Sequence, residues 1–136
     1  MNITELVTRA HGNAVKHGFW DPPLDFGTAI ALIHSELSEA LEEVRAGRPL
    51  AWYHCTAGNG NGTVCDPKKW VDCDMDGKED RCPFRDRKPE GAAVELADAV
   101  IRIADLCGHL GIDLEAVIDQ KMAYNETRPF KHGKKF

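Results

Sequence analysis

The sequence predicts an all-α protein, a four-helix-bundle-type domain with a long irregular, cysteine-containing insert between helices two and three. Apolar residues recur at helical spacing in four separate stretches, and glycines, prolines and capping residues punctuate the ends of those stretches. Outside the insert, no run shows the alternation of a strand. At 136 residues the chain has the length of one domain, and 43% hydrophobic with 29% charged residues is an ordinary globular composition.

The first stretch, residues 2–18, sets Ile3, Leu6, Val7, Ala10, Ala14 and Val15 at helical spacing and stops at Gly18. Phe19, Trp20, Asp21, Pro22 and Pro23 then form a stiff connector. A second helix is expected over 25–46, closing at Gly47 ahead of Pro49. Phe26, Ala29, Ile30, Ile33, Leu37, Ala40, Leu41 and Val44 collect on its apolar side. A third helix is expected over 91–109, with Gly108 and Gly111 near its end. Leu96, Ala97, Val100, Ile101, Ile103, Ala104, Cys107 and Leu110 cover most of its circumference, which predicts a central position and makes Cys107 a core residue. The fourth begins at Asp113, a good N-cap, and runs to Asn125 or Thr127 before Pro129. Residues 1–136 thus read as one helical domain carrying an insert at 50–88.

That insert holds four of the five cysteines and the Gly58-Asn59-Gly60-Asn61-Gly62 run, and shows little periodicity. Long excursions inside a compact domain are commonly functional, metal-stapled or disordered. Cys55, Cys65, Cys73 and Cys82 match the ligand count of one structural Zn²⁺, although no Cys-x-x-Cys pair is present. Disulfides and unligated thiols remain the alternatives. Asp72, Asp74 and Asp76 before Gly77 imitate the start of a calcium loop, but Pro83 stands where a bidentate Glu is needed.

No apolar run approaches the roughly 20 residues that span a bilayer, and no secretory signal is visible, so a cytoplasmic location without membrane contact is expected. A formal charge of −5 argues against a broad nucleic-acid surface. Acids concentrate at 36–43 and 95–105, while Arg128, Lys131, Lys134 and Lys135 gather near the C-terminal end. A phosphate-bearing small molecule held by metal on one side and by cations on the other suits that division; solvated surface is the plain alternative.

The spacing of the acids sharpens the choice. Glu36, Glu39 and Glu43 fall on one strip beside the apolar side of the second helix. Glu95, Asp98, Arg102 and Asp105 occupy the narrow strip left on the third. A largely buried helix with a line of acids needs neutralisation, because an unpaired buried carboxylate is costly and like charges raise one another's pKa. Glu36 with Glu39, and Glu95 with Asp98, each place two oxygen donors one turn apart. Together they offer four hard ligands suited to Mg²⁺ or Mn²⁺. Such cations can bridge phosphate oxygens and activate water. Two salt-bridged, solvated helix faces are the competing interpretation. Of the histidines, His34 lies off both strips, and His11, His17 and His109 suggest no role.

Glu36-Leu37-Ser38-Glu39 with Glu42-Glu43, followed after the insert by Glu95-Leu96-Ala97-Asp98, resembles the Glu-x-x-Glu … Glu-x-x-Asp signature of the MazG-like all-α nucleoside triphosphate pyrophosphohydrolases. The resemblance extends to Gly18-Phe19-Trp20-Asp21, to Lys88-Pro89-Glu90-Gly91 and to 121–129, leaving out only 50–87, where the long insert departs from the family pattern. It implies that Glu36, Glu39, Glu95 and Asp98 hold Mg²⁺ and are catalytic. It further implies that Lys121, Asn125 and Arg128 approach a triphosphate or its sugar; helix-dipole complementation is the plainer role for these cations. Trp20 can stack on a base, or simply pack against helix two, and Glu43 can serve as an outer ligand. The implied reaction converts a (deoxy)nucleoside triphosphate to the monophosphate and pyrophosphate, in nucleotide-pool housekeeping, by a homodimer or dimer of dimers. A phosphoribosyl-ATP pyrophosphohydrolase and a non-catalytic nucleotide- or metal-binding module are the rival expectations.

Overall fold

The computed structural model describes residues 1–55, 63–65 and 88–129. Four helices follow in the expected order: α1 (Ile3–Lys16), α2 (Phe26–Arg45), α3 (Ala92–Leu110) and α4 (Leu114–Glu126). Their ends lie where the caps place them. Asn2 accepts from the backbone N–H of Glu5 at 2.7 Å while the Glu5 carboxylate accepts from the backbone N–H of Asn2, a reciprocal capping box. Asp113 caps α4 by accepting from the backbone N–H of Ala116 at 3.0 Å. The fold is mainly helical, as expected, and no described helix is long and apolar enough to cross a membrane.

Among the described residues, three short strands lie within or at the margin of the insert: β1 (Trp52–Cys55), β2 (Thr63–Cys65) and β3 (Lys88–Glu90). They form an antiparallel sheet in the order β2-β1-β3, with Tyr53 opposite Cys65 on one side and Trp52 opposite Glu90 on the other. Strands of three or four residues are too short for alternation to register in the sequence. Of the expected zinc ligands, Cys73 and Cys82 lie outside the described residues, as do the side chains of Cys55 and Cys65. The calcium-like Asp72–Gly77 run and the lysines at 131, 134 and 135 also lie outside them.

The chain divides into two compact units, one of Met1–Ala29 with the residues from Ile101 onward and one of Ile30–Val100. In the first, Ala10 and Ala14 of α1 and Ala104, Leu106 and Cys107 of α3 are buried. Gly108 permits close approach, since a Cβ there would stand 2.5 Å from the Cβ of His11. Helices α1 and α4 are tied where Thr4 donates its backbone N–H and its hydroxyl to one oxygen of Glu115, at 2.9 and 2.7 Å. In the second unit, Ile33 and Ala40 of α2, Ala92 and Ala99 of α3, and Trp52 form the buried set.

The inward faces of α2 and α3 differ from those that periodicity predicts. Along α2 the buried line is Ala29, Ile33, Glu36 and Ala40, whereas Leu37, Leu41 and Val44 are about half exposed. Along α3, Glu95 and Ala99 are buried while Leu96, Val100, Ile101 and Ile103 are half-exposed, Leu96 at 51% and Ile103 at 39%. The burial around most of its circumference expected for α3 is therefore not found. The physical reason is steric: alanines on the acid-bearing lines allow close packing there, and the bulkier residues are left on the outer side. Among the described residues, no large side chain is fully buried.

Candidate metal centre

The second unit builds a carboxylate cleft from α2, α3 and β3. Helical spacing puts Glu36 and Glu39 one turn apart on α2, and Glu95 and Asp98 one turn apart on α3. One oxygen from each of Glu36, Glu39 and Glu95 lies within 4.8 Å of the other two. Glu36 and Glu95 are only 7% and 8% exposed, Glu39 is exposed and Asp98 is half-buried. The surrounding cleft measures about 280 Å³ and is also lined by Asp98, Glu42, Glu43, Lys88 and Glu90. Sequence spacing thus identified a set of acids that the fold brings together, with Asp98 on the cleft wall outside the closest triangle.

Glu95 is the most revealing member. Among the described residues no side chain donates a hydrogen bond to it and none forms an ion pair with it at contact distance. Burial pushes its carboxyl above the ordinary value, and the charges of Glu39, Asp98, Glu36 and Glu90 push the same way. A buried acceptor without a donor is rare and expensive, and a carboxylate costs more than a neutral group. A hard divalent cation would remove both penalties. The donor set fits one: all oxygen, from two adjacent helices, with opposite ligands on a Mg²⁺ ion about 4.2 Å apart.

Glu43 has a different employment. Its two oxygens accept from the Arg48 guanidinium at 2.7 Å and from the Trp52 indole N–H at 2.9 Å, and Arg48 lies 5.3 Å from the Trp52 ring centre. This cluster fastens β1 to the end of α2 and so fixes one wall of the cleft. The opposite end of the sheet is fixed by Gly91, whose φ of +107° reverses the chain from β3 into α3. A Cβ at that position would meet the Leu50 carbonyl oxygen at 2.7 Å and Trp52 at 2.9 Å. Lys88 and Glu90, one residue apart on either side of Pro89, pair at 3.0 Å. The hydrogen bond and charge of Glu90 raise the Lys88 pKa, with smaller contributions from Glu95 and Asp98.

The remaining site candidates belong to the first unit. Lys121 and Asn125 are exposed on α4 and Arg128 follows its end, half-buried. The Lys121 ammonium and the Arg128 guanidinium lie 5.1 and 6.0 Å from the ring centre of Tyr124, a residue the sequence reading passed over. Trp20 packs against α3: its indole N–H donates to Asp105 at 2.9 Å and its ring stacks on His109 at 3.7 Å. The same Asp105 oxygen pairs with His11 at 2.8 Å. His11 and His109 carried no sequence signal, because only the fold reveals that Asp105 and Trp20 meet them. Lys88, Glu90, Arg48 and Trp52 were likewise overlooked as wall residues; the charged Lys-Pro-Glu-Gly run just ahead of Glu95 was the available cue.

No family model, curated protein or solved structure gives a significant match to this chain.

Proposed function

We propose that the chain is a Mg²⁺-dependent nucleoside triphosphate pyrophosphohydrolase of the MazG-like type, converting (deoxy)nucleoside triphosphates to monophosphates and pyrophosphate. The observation that carries this reading is the buried Glu95 converging with Glu36 and Glu39 from a distant stretch of sequence. Glu36, Glu39, Glu95 and Asp98 would hold the cation, with Mn²⁺ as a substitute. The bound cation supplies charge neutralisation at the phosphate oxygens and activation of water. The chain's own contribution is positional. Two buried carboxylates fix the site rigidly, Glu39 and Asp98 complete it from the more accessible side, and Glu43 holds the wall in place through Arg48 and Trp52. The α–β phosphoanhydride is hydrolysed: the water oxygen bonds to the attacked phosphorus, the bond from that phosphorus to the bridging oxygen breaks, and the bridging oxygen leaves with the other product while the water's protons pass to the products or solvent.

Lys121 and Arg128, gathered about Tyr124, and the neighbouring Asn125 are assigned to the triphosphate or sugar. Trp20, held on one face by His109, is assigned to the base. The half-exposed apolar rows Leu37, Leu41 and Val44 on α2 and Leu96 and Val100 on α3 favour a second copy of the chain as their cover, hence a homodimer or a dimer of dimers.

Incubation with each canonical ribo- and deoxyribonucleoside triphosphate and Mg²⁺ tests the reading. Monophosphate and pyrophosphate in equal amounts are expected. Release of orthophosphate alone, or tight nucleotide binding without turnover, would contradict it, and phosphoribosyl-ATP as the sole substrate would reassign the enzyme within the same chemistry.

A further inference from the structure

The carboxylate cleft is short of positive charge. Glu36, Glu39, Glu90, Glu95 and Asp98 line it, and Lys88 is its one cationic lining residue among the described residues. Arg48, the other cation near this wall, is committed to Glu43 at 2.7 Å. Lys88 is placed by backbone, not by chance: β3 pairs with β1 through Lys88 opposite His54, and the Gly91 reversal leads directly into the helix turn that carries Glu95. Its side chain is 75% exposed and its contact with Glu90 is a single 3.0 Å pair. A solvated pair of this kind is cheap to exchange, and an ammonium on a flexible stem suits a phosphate that must arrive and leave.

A substrate whose scissile bond sits where Glu36, Glu39 and Glu95 converge must direct its remaining phosphates along walls that are otherwise anionic. We infer that Lys88 is a phosphate-binding residue that receives the pyrophosphate portion of the substrate, exchanging its partner from Glu90 to the phosphate oxygens. This rests on the pyrophosphohydrolase reading and adds to it a residue that spacing and signature did not assign. The competing role, simple neutralisation of Glu90, makes no distinction between the two products.

Product inhibition of the full chain separates the two. Pyrophosphate and the nucleoside monophosphate are titrated against triphosphate turnover in saturating Mg²⁺, for the wild type, Lys88→Met and Lys88→Arg. The inhibition constant for pyrophosphate should rise about tenfold in Lys88→Met, the equivalent of one exposed charge-assisted hydrogen bond. That for the monophosphate should stay unchanged, and Lys88→Arg should recover most of the loss. Equal movement of both constants, movement of neither, or a wild type insensitive to pyrophosphate overturns the assignment while leaving the enzyme's function standing. A wild type that hydrolyses no triphosphate removes the function, and Lys88's role with it.

Discussion

Replacing Glu95 by Gln should make the cation-free protein more stable and the cation-loaded protein less so. The side chain keeps its size, so packing beside Ala92 and Ala99 is undisturbed, but a buried negative charge is removed. Its oxygen lies within 4.8 Å of one from Glu36 and one from Glu39. At that separation each ionised pair repels by roughly 1 to 3.5 kcal/mol for effective dielectrics of about 60 to 20. The sign with pH follows from the raised Glu95 pKa. The folded state holds its proton to higher pH than the unfolded chain, so stability falls as pH climbs through that window and stays reduced above it. Divalent cation should restore it: a ligand at 100 times its dissociation constant adds about 2.7 kcal/mol. For a chain this size that is a rise in melting temperature of roughly 8 to 13 °C. Thermal unfolding followed by circular dichroism, at fixed protein concentration with chelator or Mg²⁺, reads both effects. At neutral pH with chelator, Glu95→Gln should melt several degrees above the wild type and gain little from Mg²⁺. A variant that melts below the wild type in chelator, or a wild type indifferent to Mg²⁺ and Mn²⁺, would refute the reasoning.

Other perturbations test other parts of the site. Glu39→Gln and Asp98→Asn should each abolish triphosphate turnover in a steady-state assay while leaving the helical circular dichroism signal intact; full activity in both would remove these acids from the site. Gly91→Ala meets the Leu50 carbonyl and Trp52 and forces an alanine into a left-handed backbone, and urea denaturation should show a loss of about 2 to 4 kcal/mol. Leu41→Glu places a charge in the half-exposed apolar row of α2; sedimentation equilibrium should report a lower mass than for the wild type, and an unchanged oligomer would show that this row is not the contact.

Much of the helical frame is legible in the sequence because its signals are local. Asp113 and the glycines after α1 and α2 act within one turn of where they stand, so α4 begins where its cap says and α1 and α2 stop near their glycines. The acid cluster is legible for a related reason, since spacings of three residues fix which carboxylates share a helix face. What spacing cannot supply is the identity of the neighbour across that face. Leu37, Leu41, Leu96 and Val100 read as core, yet the lines bearing Glu36 and Glu95 are the buried ones, because periodicity identifies an apolar side without saying whether the same chain covers it. The wall residues escaped for another reason. Lys88 and Glu90 sit on a three-residue strand, and the partners of Glu43 and Trp20 are set by tertiary contacts with Trp52, Asp105 and His109 that no local pattern encodes.

Titration of Mn²⁺ into chelator-treated protein, with free ion counted by electron paramagnetic resonance, tests most directly whether carboxylates from α2 and α3 jointly hold a hard cation. The wild type should take up at least one ion per chain, and Mg²⁺ should displace it. In a Glu36→Gln/Glu39→Gln double variant that retains its helical signal, the uptake should disappear. Equal uptake by both proteins, or none by the wild type, would contradict the account.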